Sequence, residues 1–189
     1  GVYDRNRPFY NTASPSMDIL ISSNLERLLY SLCGSDTEVA GYMQQLREQG
    51  RYTVSDALLA RIRETFAGGC CNDIQTREKI GRAWRDHRYL IDTHTAVAYH
   101  VLDEYRCETG DAAPAVVVST ASPFKFCDQV LRGIGGTADA FGPELIRRLS
   151  CETQIDAPAP LTGLDARPVR FGGCVDQSQM LHTVDEFLK

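Results

Sequence analysis

Two short polar constellations in the 189-residue chain carry side chains able to do chemistry. The first is Asp92-Thr93-His94-Thr95, with a carboxylate and an imidazole two residues apart at the start of a periodic apolar stretch. Such a pair at a helix start can orient a substrate or move a proton. The same spacing also describes an aspartate cap with a solvated histidine beside it. The second is Ser119-Thr120-Ala121-Ser122-Pro123, whose hydroxyls can hydrogen-bond a heterocycle nitrogen or a phosphate oxygen next to a helix N-terminus. Its alternative is a helix cap at Ser122 and a satisfied turn at Thr120.

Other motifs carry less. Gly133, Gly135 and Gly136 have no preceding strand and no following G-K-[ST], so a helix stop accounts for them better than a phosphate loop. No G-x-S-x-G elbow occurs. The seven cysteines contain no C-x-x-C pair, which points to reduced thiols in a cytoplasmic protein rather than to a disulfide framework or a metal site. Lys79, Lys125 and Lys189 are the only lysines.

Behind these residues stands a helix-rich frame. Ser23 with Glu26, and Asn72 with Gln75, have the spacing of capping boxes. Helices are expected from Ser23 to a stop at Gly34, over 36–48, from Ser55 or Asp56 onward with Leu58, Leu59, Ile62 and Phe66 on one face, and from Asn72 past Trp84. Asp92 caps a further helix carrying Val97, Val101, Leu102 and Tyr105. Residues 114–119 hold Val116, Val117 and Val118 in a row, the pattern of a strand buried on both faces of a parallel sheet. Ser122 and Pro123 then open a helix, so that the hydroxyl cluster falls at a strand end, where ligands of open α/β sheets gather. Downstream, a helix over 143–149, an irregular stretch over 154–164, a short strand over 168–171 and a terminal helix capped by Asp176 are expected.

A net charge of -5 argues against nucleic acid or an acidic bilayer as partner. No run approaches the ~20 apolar residues of a membrane helix. The chain begins Gly1-Val2, with its first methionine at Met17, which suggests a piece of a longer protein.

Three segments carry a resemblance. Asn11 to Leu29, with Ser16-Met17-Asp18-Ile19 and Ser23-Asn24-Leu25-Glu26-Arg27-Leu28, is similar to a segment of the threonine synthase family. Ile91 to Ala98 resembles that family's I-D-P-H-T-A-V-A motif, with Thr93 in place of proline, and Ser119 to Phe126 resembles its S-T-A-x-P-x-K-F motif. They occur in the family's order. The resemblance implies an α/β fold: a helix-rich, three-layer piece with a small, mainly parallel sheet, part of the large domain of a fold type II pyridoxal-phosphate enzyme. It further implies a single C-terminal piece over 1–189, with an extended lead-in over 1–22 and a tail with a terminal helix over 151–189. The implied activity is conversion of O-phosphohomoserine and water to threonine and phosphate, a lyase reaction using pyridoxal phosphate. The resemblance carries over Thr120, with Ser119 beside it, to the pyridine nitrogen of the cofactor, and Asp92 and His94 to the catalytic cleft. The family's Schiff-base lysine and phosphate loop lie in an N-terminal region with no counterpart here, so this piece alone is expected to be inactive, to lack the cofactor and to self-associate. The other readings are a noncatalytic binding or scaffold module derived from that fold, and a threonine dehydratase relative, against which Ser16-Met17-Asp18-Ile19 argues.

Overall fold

Capping chemistry sets most helix boundaries. The structure is a computed structural model that describes residues 1–170 and 172–189. Helix α1 (Ser23–Cys33) begins after Ser22, whose side chain makes no cap bond, so the Ser23/Glu26 box is not formed; Gly34, in the left-handed region at φ 69°, ends the helix as expected. Helix α2 (Asp36–Gln49) starts where Ser35 accepts the Glu38 amide, and α3 (Asp56–Thr65) where Ser55 accepts the Leu58 amide. Phe66 is the exposed residue that closes α3, not part of its buried face. Helix α4 (Asp73–His87) carries the complete Asn72/Gln75 capping box. Helix α5 (Thr93–Thr109) is capped by Asp92.

The sheet departs from expectation. It is small, but among the described residues it is one antiparallel pair of β1 (Val2–Asp4) with β2 (Arg51–Thr53), not a mainly parallel sheet. The lead-in therefore contributes a strand. Stacking supports the pairing: Tyr3 and Tyr52 face each other across the two strands with ring centroids 4.9 Å apart, and Tyr42 of α2 stacks on Tyr52 at 5.3 Å, tying the sheet to the helix. Leu29, Val39, Tyr42, Tyr52, Val54 and Leu58 close this first core.

Residues 114–119 form no strand, and Val116 and Val118 are 89% and 68% exposed. The β-branched run favours extended backbone, but among the described residues no neighbouring strand completes a ladder. The helix-rich α/β frame with a small sheet is as expected; the mainly parallel pairing is what the described residues do not form.

The second core is helical. Helix α4 packs on α5 and on α6 (Cys127–Ile134), and α6 on α7 (Pro143–Thr153), around Ile80, Leu90, Ile91, Phe124, Val130, Leu131 and Leu149. Ile80, Leu131 and Leu149 are fully buried, each worth ~1.5–3 kcal/mol of apolar transfer. Gly135, at φ 91°, stops α6, which confirms the helix-stop reading of the glycine cluster. In the tail, residues 168–170 form no strand, and Phe171, the end of that expected strand, lies outside the described residues. Asp176 precedes a 3-10 turn without a side-chain cap, and α8 (Met180–Phe187) follows. No helix of the described residues is long and apolar enough to cross a membrane.

Candidate functional site

Asp92 has no solvent exposure, so its carboxylate must be compensated internally. It is. Oδ2 accepts the His94 amide at 2.9 Å and His94 Nδ1 at 2.9 Å; Oδ1 accepts the Thr95 amide at 3.2 Å and the Thr95 hydroxyl. The α5 N-terminus adds its dipole to these donors. The aspartate is thus both a helix cap and the anchor of a side-chain network.

His94, only 6% exposed, is fixed at both ring nitrogens. Nδ1–H donates to Asp92, and Nε2 accepts the backbone amide of Ser16 at 3.2 Å, an assignment dictated by the donors around the ring. Its ring also packs against Phe126 at 4.7 Å between centroids. Ser16 sits in the 3-10 turn Pro15–Met17, which Asp18 steadies by accepting the amide and hydroxyl of Thr12, both at 2.7 Å. Asp73, at the start of α4, accepts the Ala13 amide at 2.9 Å and pins the same lead-in from the other side.

The third motif enters through Ser119, whose Oγ lies 3.0 Å from Thr95 Oγ1. Thr120 follows directly, exposed, and its hydroxyl makes no hydrogen bond among the described residues. Ser122 accepts the Phe124 amide at 3.3 Å and caps the 3-10 turn Pro123–Phe126, so it acts as the capping alternative anticipated. The structure therefore brings Ser16, Asp92, His94 and Ser119 into one network and leaves Thr120 free at its edge. Sequence alone assigned no role to Thr95, the hydroxyl joining Asp92 to Ser119, or to the Ser16 amide, which has no side-chain signature. For Thr95 a signal existed: it lies three residues after an N-cap aspartate, the position whose amide donates to the cap side chain.

The lysines stand apart from this chemistry. Lys79 is buried, ion-paired with Asp103, and its Nζ lies 4.6 Å from the Tyr99 ring centre. Lys125 is exposed, 5.4 Å from the Phe126 ring centre, and Lys189 pairs with Glu186. Nor is Cys127 a reactive thiol, since burial pushes its pKa up to about 11.

Known proteins resemble this chain in sequence and in fold. The family model for the threonine synthase C-terminal domain matches residues 95–184. Threonine synthase of Pseudomonas aeruginosa is 34% identical over 144 residues, covering 76% of this chain and 30% of that protein. A crystal structure described as pyridoxal-phosphate-bound threonine synthase from Brucella melitensis superposes with a TM-score of 0.77 at 33% identity, covering all of this chain and 36% of its own. Yeast threonine synthase superposes with a TM-score of 0.81 at 25% identity, covering all of this chain and 38% of that one. This chain thus spans about a third of the length of the relatives it matches. Its motifs, its helical framework and its match to the C-terminal domain together make it a member of the threonine synthase family, corresponding to the C-terminal segment of those enzymes.

Proposed function

We propose that this chain forms one wall of the cofactor cleft of a threonine synthase that converts O-phosphohomoserine and water to threonine and phosphate, in the cytoplasm. The observation that carries this reading is the convergence of three separate motifs on one hydrogen-bonded network beside a free hydroxyl, Thr120. The relative from Brucella melitensis is described as holding pyridoxal phosphate, and the residues here suit that group on chemical grounds: a neutral, unengaged hydroxyl suits a pyridine nitrogen.

When bound, pyridoxal phosphate supplies the electron sink for carbanion chemistry at the substrate. The chain's own residues orient it. Thr120 would hold the pyridine nitrogen by donating its hydroxyl hydrogen without protonating the ring, which would moderate that sink compared with an aspartate partner. Thr95 holds Ser119, and through it the turn that presents Thr120. Asp92 and His94 hold that wall: with both imidazole nitrogens engaged, His94 is a positioning residue in this state, and Asp92 its anchor. The lysine that bonds the cofactor and the cup for its phosphate belong to the remaining two thirds of the enzyme.

The test is Thr120→Val in the intact enzyme. Turnover should fall about tenfold, equivalent to ~1.4 kcal/mol, with the fold unchanged, and Thr120→Ser should keep most activity. A Thr120→Val enzyme with the parent's rate and cofactor affinity would remove Thr120 from the site.

The same reading has neighbouring strands of the enzyme covering Val116 and Val118, whose apolar faces lie open here. The chain by itself then presents an unpaired extended edge and should self-associate. Sedimentation over a hundredfold concentration range should show weight-average mass rising, and Val116→Lys should suppress the rise. A single monomer across that range would count against an open edge.

A further inference from the structure

Helices α4 and α6 meet at two glycines. A Cβ at Gly81 would lie 2.4 Å from the carbonyl oxygen of Gly133, and one at Gly133 would lie 2.9 Å from Ile80, so the bare backbones set how closely the helices approach. Along this seam runs an open groove of about 690 Å³ lined by Arg77, Glu78 and Arg85 from α4 and by Gln129, Arg132 and Gly133 from α6. Arg77, Gly81 and Arg85 recur every fourth residue, on one face of α4.

The groove is positive in a chain whose net charge is -5. Three guanidinium groups face one carboxylate, that of Glu78. None of the three has a carboxylate within ion-pair distance among the described residues. Arg77 instead donates to the neutral amide of Gln129 at 3.2 Å, and Arg132 to the carbonyl of Ala138 at 3.3 Å. Arg85 uses the space that Gly81 leaves empty: its Nη1 would lie 3.1 Å from a Cβ there. The missing side chain thus makes room for the Arg85 guanidinium over the helix backbone, at the floor of the groove.

We propose that this groove binds a phosphate dianion, either free or as the terminal group of a small phosphorylated metabolite. Planar guanidinium groups from two helices match the oxygens of such a group, and their surplus charge over Glu78 matches its two negative charges. The site shares no residue with the Asp92–His94–Ser119 network, so it stands or falls independently of that network's function.

The chain contains a single tryptophan, Trp84, next to Arg85 on α4, which provides a reporter. Titration with inorganic phosphate, and separately with glycerol 3-phosphate, should produce a saturable change in Trp84 emission and a matching calorimetric isotherm, with sodium chloride at equal ionic strength giving neither. Saturation by inorganic phosphate identifies the free anion as sufficient; saturation by the ester alone identifies a phosphorylated metabolite. Arg85→Gln combined with Arg132→Gln should weaken binding at least tenfold, while Glu78→Gln should tighten it and so give a change of opposite sign in a folded protein. Phosphate and ester curves that superpose on the chloride control, or unchanged affinity in the double arginine variant, would overturn the proposal.

Discussion

Asp92→Ala should cost the fold about 4 kcal/mol, a large share of the ~5–15 kcal/mol that holds a domain together. The substitution removes a helix cap and strands donors that lie out of reach of water: the amides of His94 and Thr95, the His94 Nδ1–H and the Thr95 hydroxyl. Bonds to a charged acceptor carry ~1.5–3 kcal/mol each, and only part of that is recovered when the site relaxes. Asp92→Asn keeps the shape and one good acceptor, and should recover roughly half of the loss. The midpoint of urea unfolding reads both variants. A shift for Asp92→Ala equivalent to less than ~1 kcal/mol would mean that water reaches these groups and that the network is dispensable.

Gly81→Ala should destabilise by ~2–3 kcal/mol, although alanine is the better helix former by ~1 kcal/mol. The new methyl would sit 2.4 Å from the Gly133 carbonyl, a backbone atom that cannot swing away, so α4 and α6 must part and loosen the packing of Val130 and Leu131. Gly41→Ala is the matched control. It also lies inside a helix, α2, but a Cβ there meets nothing within 4 Å, and the intrinsic preference should make that variant more stable by ~0.5–1 kcal/mol. Opposite signs for two glycine-to-alanine changes, measured by thermal unfolding, would establish that contact between the helices, not propensity, decides at Gly81. Equal signs would refute it.

Local signals in the sequence predicted local structure well. The Asn72/Gln75 box, the Ser55 cap and the Gly34 and Gly135 stops act within a turn of the chain, and such interactions depend little on the rest of the fold. Tertiary relations were less legible. The run Val116-Val117-Val118 encodes extended backbone and a wish for burial, but a strand exists only with a partner, and residues 114–119 have none here. The pairing of Val2–Asp4 with Arg51–Thr53 went unread because three residues are too few to show alternation and the stacking tyrosines are far apart in sequence. At the site, Asp92 and His94 stood out by type, yet their spacing suited a simple cap equally well. The contacts that go beyond a simple cap, from His94 to the Ser16 amide and from Thr95 to Ser119, are made by residues 78 and 24 positions apart and leave no local pattern.

That last contact has a consequence for how the turn at Thr120 behaves. The bond between Thr95 and Ser119 closes a ring of chain made of α5 and the extended segment that returns alongside its start. Closing a ring of that size lowers chain entropy by an amount on the order of 3 kcal/mol, and folding rather than binding absorbs that loss. Thr120 is one residue beyond that knot, so on the proposed reading it would have less conformational freedom to surrender when the cofactor binds. On that reading a hydroxyl tethered in this way would act at a higher local concentration, and one hydrogen bond from it would count for more than from the same group on a floppy loop.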